Sequence, residues 1–257
     1  MLLHIGALHL DVDSHRKTPW QQLAPKTRIL CVVLLVFAIA LTPNGRWLTW
    51  AVYGVGVGAI VLLSRVTLGV LVRRVAVEAV FLSLVLLGTL FRGGGETLWQ
   101  WGWLRITTEG VVVLGSVTLK ALLSLLLMNL LILTTAIPAL LHGLVALRFP
   151  PLLVAILAAM YRYIAVLIEE FDSMRRAALS RNLMNHRNWQ RLVIGNMIGA
   201  LFIRTIDRGE RVHQAMLSRG FEGLPPIAEV PRGGRRDAIV LTLIFMLTLA
   251  GQVIYLI

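Results

Sequence analysis

Long apolar runs separated by short polar segments dominate this sequence of 257 residues. A helix needs roughly 20 consecutive apolar residues to cross a bilayer. The runs are continuously apolar and do not alternate with polar residues, which indicates helices rather than the strands of a membrane barrel. The pattern predicts an all-α membrane protein with about five transmembrane helices, at 29–41, 47–63, 75–91, 110–133 and 238–257.

The segment between the fourth and fifth runs has a different pattern. After Thr134 and Thr135, whose hydroxyls can cap a helix, the sequence predicts one short helix. Two long helices follow, which end near Ser180 and Ser218. The predicted organisation is a polar tail at 1–28, a four-span membrane bundle at 29–135, a cytoplasmic region with one short and two long helices at 136–236, and the last span at 237–257.

Charge sets the predicted orientation. The chain is 57% hydrophobic and 15% charged, with a net charge of +12 and a mean hydropathy of +0.78. Basic residues of membrane proteins collect on the cytoplasmic side, which places the N-terminus and the region 136–236 inside. The clusters of basic residues therefore indicate the orientation of a multi-pass protein of the cytoplasmic membrane. We expect this protein to contact lipid and other proteins, and not nucleic acid.

An alternative topology makes 149–168 and 192–206 two further spans. It would place Arg162 and Arg204 inside the lipid, at a cost of roughly 2.5–3.5 kcal/mol for each arginine. It would also leave Arg175, Arg176 and Arg181 on the outer face. We therefore favour five spans.

A near-repeat connects the two long helices. The heptapeptide Ala-Ala-Leu-Ser-Arg-Asn-Leu at 177–183 recurs as Ala-Met-Leu-Ser-Arg-Gly-Phe at 215–221. Acidic residues precede both arginines at the same distances, namely Glu169 and Asp172 before Arg181, and Asp207 and Glu210 before Arg219. The repeat predicts two similar prongs that are offered to two similar partners outside the membrane.

Arginine suits such a prong because its rigid guanidinium fork binds carboxylates. The simpler interpretation is that Arg181 and Arg219 only stabilise the negative ends of two helix dipoles. The duplication, with matching flanking residues, favours a contact with partners. We also expect Asp172 to pair with Arg175 or Arg176, and Asp207 with Arg211, at helical spacing.

Polar residues inside predicted spans are candidates for function. Lys120 in the fourth span either serves a transport path or pairs within the bundle, and Asn129 is its neutral polar neighbour. Glu78 lies near the start of the third span, which favours an interfacial position. Gly54 and Gly58 form a G-x-x-x-G pair typical of close helix packing.

Candidate chemistry is otherwise sparse. The tail residues His4, His9, Asp11, Asp13 and His15 could bind a divalent metal, but a solvated tail is the favoured interpretation. Cys31 is the only cysteine, and the sequence has no nucleotide-binding loop, zinc-protease motif or nucleophile elbow. We therefore predict no catalytic residue, no bound cofactor and no metal site, so energy for transport would come from another subunit.

The sequence resembles the transmembrane T components of energy-coupling factor transporters, of which the cobalt-type CbiQ family is the most similar. The resemblance covers most of the chain. It rests on Leu-Ala-Pro-Lys-Thr-Arg at 23–28, Thr134-Thr135, Leu-Arg-Phe-Pro at 147–150, Met-Tyr-Arg-Tyr at 160–163 and the paired arginine motifs. The family motif usually reads Ala-Arg-Gly, and Asn182 is the clearest departure from it.

The resemblance implies coupling helices whose tips, Ser180-Arg181-Asn182 and Ser218-Arg219-Gly220, dock into two CbiO-like ATPase subunits. It further implies ATP on those subunits, a CbiM-like substrate-binding membrane subunit, and a small CbiN-like accessory subunit. The implied substrate is cobalt or nickel. A vitamin-type T component and a self-contained secondary transporter are the alternatives, in that order.

Overall fold

The computed structural model describes residues 18–89, 97–101, 104–183, 187–221 and 233–256. Within these ranges the chain forms eight helices and one two-stranded hairpin, which confirms the predicted all-α membrane fold apart from the hairpin. The elements are α1 (Pro25–Leu41), α2 (Trp47–Ser64), α3 (Leu68–Thr89), β1 (Thr97–Trp101), β2 (Leu104–Thr107), α4 (Thr108–Thr134), α5 (Ile137–Ala146), α6 (Pro151–Ser180), α7 (Arg187–Leu217) and α8 (Arg235–Leu256).

The contacts divide the described residues into two compact units. The first contains the residues up to Gly143 together with α8, and the second lies within Leu144–Glu229 and contains α6 and α7. In the first unit α1, α2, α4 and α8 pack together, and α3 packs on α4. Its core is apolar and includes the fully buried Leu35, Ile39, Tyr53, Leu127 and Leu130.

Four described helices are long and apolar enough to cross a bilayer: α2, α4, α6 and the Arg235–Val253 part of α8. Of the other predicted spans, α1 has 17 residues, and α3 carries Arg73, Arg74 and Glu78 in its first half. Length and composition alone therefore do not distinguish α6 from a span. The predicted cytoplasmic position of α6 rests on its charges.

Helix packing in the first unit uses glycines other than those predicted. A methyl group added to Gly54 or Gly58 would contact nothing within 4 Å among the described atoms, so the expected G-x-x-x-G contact is wrong. The close approaches are at Gly56, where a Cβ would lie 2.9 Å from Leu247 Cδ1, and at Gly251, where it would lie 2.5 Å from the hydroxyl of Tyr53. These two glycines let α2 and α8 pack closely.

The segment between α3 and α4, for which the sequence pattern predicts no span, contains a hairpin. β1 and β2 pair antiparallel, with Trp99 opposite Ile106 and Trp101 opposite Leu104. The alternation of tryptophan with other residues in β1 is the period-two pattern of a strand, so the signal was present in the sequence.

A buried arginine joins the chain before α1 to the end of α4. Arg28 is 7% exposed, and its guanidinium donates to the carbonyl oxygens of Gln21, Leu23 and Thr134 at 2.9–3.1 Å and to Thr135 Oγ1 at 3.1 Å. We call these five residues the Arg28 clamp. Two stretches that carry the family resemblance, 23–28 and Thr134-Thr135, therefore meet in space.

The clamp extends to α5 and α8. The indole nitrogen of Trp20 donates to Thr134 Oγ1 at 3.3 Å. The carboxylate of Asp237 accepts from the backbone nitrogen of Ala24 at 2.8 Å and interacts electrostatically with Arg28. At Gly143 in α5 a Cβ would lie 3.2 Å from the carbonyl carbon of Pro25, so any larger residue would push against the backbone at the start of α1. Arg28, Trp20 and Asp237 thus join the residues before α1 to the end of α4 and the start of α8.

Candidate functional site: two matched helix tips

The first tip is the C-terminal end of α6. The helix ends at Ser180, and the next residue, Arg181, caps it through a backbone bond to Ala177 O of 3.2 Å. Asn182 N donates to Leu179 O at 3.0 Å, and Leu183 N reaches back to Ala178 O at 3.1 Å. A backbone bond spanning five residues, closed by a left-handed residue, is the Schellman type of helix ending.

The second tip, at the end of α7, repeats the backbone bonds of Asn182 and Leu183, whereas Arg219 N donates to Met216 O at 3.1 Å and not to Ala215, the equivalent of Ala177. Gly220 N donates to Leu217 O at 3.0 Å, and Phe221 N donates to Met216 O at 3.0 Å. The serine hydroxyls also match, since Ser180 Oγ donates to Ala177 O at 2.9 Å and Ser218 Oγ to Ala215 O at 3.0 Å. The sequence repeat is therefore also a repeat of backbone geometry.

This geometry explains the departure from the family motif. Asn182 has φ +55° and Gly220 has φ +80°, so both positions require the left-handed conformation. Glycine adopts that conformation without steric cost, and asparagine is the side chain that tolerates it best. Asn182 consequently preserves the shape of the tip, and its presence does not weaken the case for a matched pair.

The arginines are the charged groups that both tips present. Arg181 and Arg219 are exposed, and neither forms an ion pair within the described ranges. The serine hydroxyls are already engaged with their own helices, and Asn182 and Gly220 supply backbone shape. Among the six predicted site residues, the two guanidinium groups are thus the exposed cationic groups that could bind an acidic partner group.

The charge pairs along α6 and α7 differ from those predicted. The expected pairs within each helix are absent from the described part of the chain. Instead Glu170 of α6 contacts two arginines of α7, with Oε2 3.1 Å from Arg208 Nη1 and Oε1 3.3 Å from Arg204 Nη1. The acidic and basic residues therefore join the two helices to each other, because helix packing brings Glu170 to α7.

The position of this contact relates the two tips. Glu170 precedes Arg181 by as many residues as Arg208 precedes Arg219, so the two partners of the bond are equivalent positions of the repeat. Leu167 and Thr205, also equivalent, line the same small cavity of about 110 Å³ beside Arg208. The two helices of the repeat therefore contact each other at equivalent positions. Each arginine then lies about 16 Å along its helix from the crossing point.

Exchanging the charges of Glu170 and Arg208 tests whether their ion pair stabilises the contact between α6 and α7. We expect Glu170→Arg to lower the free energy of unfolding of the α6–α7 pair by roughly 1–2 kcal/mol, because a half-buried position would then hold three positive charges. We expect the double variant Glu170→Arg/Arg208→Glu to recover most of the loss, measured by limited proteolysis of the purified full chain. A double variant as susceptible as the single one would show that the pair does not hold the crossing.

Comparison with known proteins supports a transporter component. The cobalt transport protein family CbiQ matches residues 16–230. The energy-coupling factor transporter transmembrane protein EcfT of Acidaminococcus fermentans is 29% identical over 221 residues, covering 79% of each chain. EcfT of Thermanaerovibrio acidaminovorans is 30% identical over 219 residues, covering 80% of each chain. A putative fused cobalt transport protein CbiMQ of Methanocorpusculum labreanum is 26% identical over 235 residues, covering 86% of this chain and 38% of the relative.

The chain belongs to the CbiQ family of energy-coupling factor T components. The family match spans α1 to α7 and both tips, which confirms the resemblance inferred from the sequence. The T component is a multi-pass membrane protein, and its relatives are membrane components of transporters.

The polar residues of the predicted spans are paired within the bundle of the T component. Lys120 Nζ lies 5.5 Å from the ring centroid of Trp50, which joins α4 to α2 by a cation–π contact. Asn129, which is 4% exposed, donates to Glu78 Oε2 at 2.8 Å and to Leu125 O at 3.0 Å. Glu78 is half-buried, and its bond to Asn129 joins α3 to α4. The interfacial position expected from the sequence did not include this partner.

Metal-ligating side chains do not gather in groups of three or more within the described ranges. The histidines and aspartates of the tail at 4–15 lie outside those ranges. Leu179 and Leu217 belong to the predicted repeat and lie two residues before each arginine, but they are not among the predicted site residues. The sequence feature that they share is an apolar residue at the same position in both copies of the repeat.

Proposed function

We propose that this T component is the coupling subunit of an ATP-driven importer for cobalt, or the chemically similar nickel. Two CbiO-like ATPase subunits bind ATP and receive the tips of α6 and α7, and a CbiM-like membrane subunit, with a small CbiN-like accessory subunit, carries the substrate. The chain itself binds no cofactor and catalyses no reaction. Its N-terminus and the tips lie on the cytoplasmic side.

The matched pair of tips is the observation that carries this proposal. Two helix ends with matching left-handed caps each present one exposed guanidinium, which has no ion pair with another described residue. A feature that is present twice with the same local shape is suited to two copies of one partner, because each copy can then bind the same kind of surface. When ATP binding draws two such partners together, the helix ends are displaced and the displacement passes along α6 and α7.

Cobalt is proposed over a vitamin because the matching family is described as cobalt transport and one relative is a fused CbiMQ. The EcfT relatives, which carry no substrate in their names, keep the vitamin-type importer as the alternative. A secondary transporter would need ionisable groups along a path, whereas Lys120 lies against the ring of Trp50 and its neutral neighbour Asn129 donates to Glu78.

Reconstitution tests the function. We expect vesicles containing the full chain, the CbiO-like ATPase and the CbiM- and CbiN-like subunits from the same genome to accumulate Co²⁺ only when ATP is supplied. Vesicles with the chain alone, with and without ATP, are the control. ATP-dependent uptake of a vitamin but not Co²⁺ or Ni²⁺ would favour the vitamin-type importer. Uptake by the chain alone without ATP would contradict the coupling role.

A further inference from the structure

Two connections join the unit that contains α6 and α7 to the membrane bundle. The chain leaves the first compact unit after Gly143 in α5, and it returns ahead of α8. The outgoing connection begins at the end of α4, because α5 follows Thr134 and Thr135 directly. A movement of α6 and α7 that passes along the chain therefore enters the bundle at α5 or at the start of α8.

The outgoing connection is held by residues 20–28, which precede and begin α1. We call these residues the anchor segment. Arg28 donates to the carbonyl oxygen of Thr134 at 3.0 Å and to Thr135 Oγ1 at 3.1 Å. Gly143 also lies close to the anchor segment, since a Cβ there would be 3.2 Å from the backbone of the first residue of α1. Both ends of the α4–α5 connection are thus held by the same short piece of chain.

The anchor segment also holds the returning connection. The carboxylate of Asp237 accepts from Ala24 N at 2.8 Å with one oxygen and from Gly234 N at 2.7 Å with the other. Beside it, Arg236 Nη1 donates to Gln22 Oε1 at 3.0 Å. The two connections lie far apart in the sequence, yet both are bonded to the anchor segment.

We propose that the anchor segment is the point at which movement of α6 and α7 enters the membrane bundle, with Arg28 holding the outgoing connection and Asp237 the returning one. This inference rests on the proposed function and adds the residues that keep the two connections rigid. Asp237 interacts electrostatically with the buried Arg28, so each hold supports the other. A rigid connection passes a displacement on, whereas a loose one absorbs it. The anchor segment is therefore needed for coupling and not for binding of the ATPase.

The amount of Co²⁺ taken up per ATP hydrolysed, in vesicles that contain all the subunits, tests the anchor segment. We expect Asp237→Ala to lower this ratio about fivefold, because the returning connection would lose both backbone bonds. Co-purification with the ATPase should not change. Glu109→Ala is the matched control, since Glu109 is likewise an acid in the first turn of a helix, and it should couple as the original chain does.

A second set of variants tests the outgoing connection with little change of side-chain size. Thr135→Val removes the hydroxyl that accepts from Arg28, whereas Thr135→Ser keeps a hydroxyl. We expect the valine variant to lower the ratio about threefold and the serine variant to leave it unchanged. Thr242→Val is the control, because the hydroxyl of Thr242 donates to Ala238 O within α8.

Three outcomes would overturn the anchor segment. They are an unchanged ratio in both Asp237→Ala and Thr135→Val, an equal loss in Thr135→Ser and Thr135→Val, and a loss of ATPase co-purification that matches the loss of uptake. If the original complex takes up neither Co²⁺ nor a vitamin when ATP is supplied, the proposed function fails. If that complex transports and the variants couple normally, the anchor segment alone fails.

Discussion

Replacing both Arg181 and Arg219 with glutamate is expected to abolish assembly with the ATPase subunits and all ATP-driven uptake. Reversing a charge that meets a carboxylate replaces attraction by repulsion, at a cost of about 2–5 kcal/mol for a desolvated pair. Each tip alone should therefore lose at least about thirtyfold in affinity. Co-purification with the CbiO-like subunit and Co²⁺ uptake in vesicles measure the effect.

The matched control changes the same charge on the same helices. Arg176→Glu/Arg211→Glu alters the net charge of the chain equally, and both arginines are exposed. We expect this variant to assemble and transport normally. If the tip variant also assembles normally, the arginines only stabilise the helix ends, an effect worth about 0.3–1 kcal/mol per helix.

Loss of the Arg28 side chain should be the most destabilising single change in the bundle. Arg28→Ala would leave buried carbonyl oxygens of Gln21, Leu23 and Thr134 without this donor. Each unsatisfied buried group costs about 1–3 kcal/mol, so we expect a loss of about 3–5 kcal/mol. Arg28→Lys should recover only part of it, because an ammonium cannot reproduce the guanidinium fork.

Thermal unfolding of the purified protein in detergent measures this loss. Arg73→Ala, at an exposed position of α3, is the control and should change stability by no more than about 0.5 kcal/mol. A midpoint for Arg28→Ala equal to that of the control would contradict the clamp as a stabilising element, because the buried hydrogen bonds would then contribute nothing measurable.

Helices α2, α4 and α8 were predictable because lipid imposes a simple rule on their sequence. Each backbone polar group in the bilayer must be satisfied within its own segment, so a long apolar run specifies a helix before any tertiary contact is known. The hairpin was missed because its strands are short and the tryptophans of β1 also suit a membrane interface.

The contacts between polar side chains of different helices were less predictable than the helices themselves. The sequence predicts ion pairs for Asp172 and Asp207 and none for Glu170, because residue spacing indicates only which side chains are neighbours on one helix. The contacts of Glu170 with Arg204 and Arg208 depend on how α6 and α7 cross. Asn129 and Glu78 are similar, since they lie far apart in sequence and meet only when α3 packs on α4.

The sequence by itself determined the membrane class, the long helices and the duplicated arginine tips, because hydropathy and internal repetition are properties of residue order. Only the tertiary structure decided which groups of the tips are exposed, that Asn182 preserves the cap, and that Arg28 joins segments distant in the chain. Those outcomes depend on backbone dihedral angles and on burial. Dihedral angles and burial are set only when segments that are distant in the sequence pack together and form hydrogen bonds.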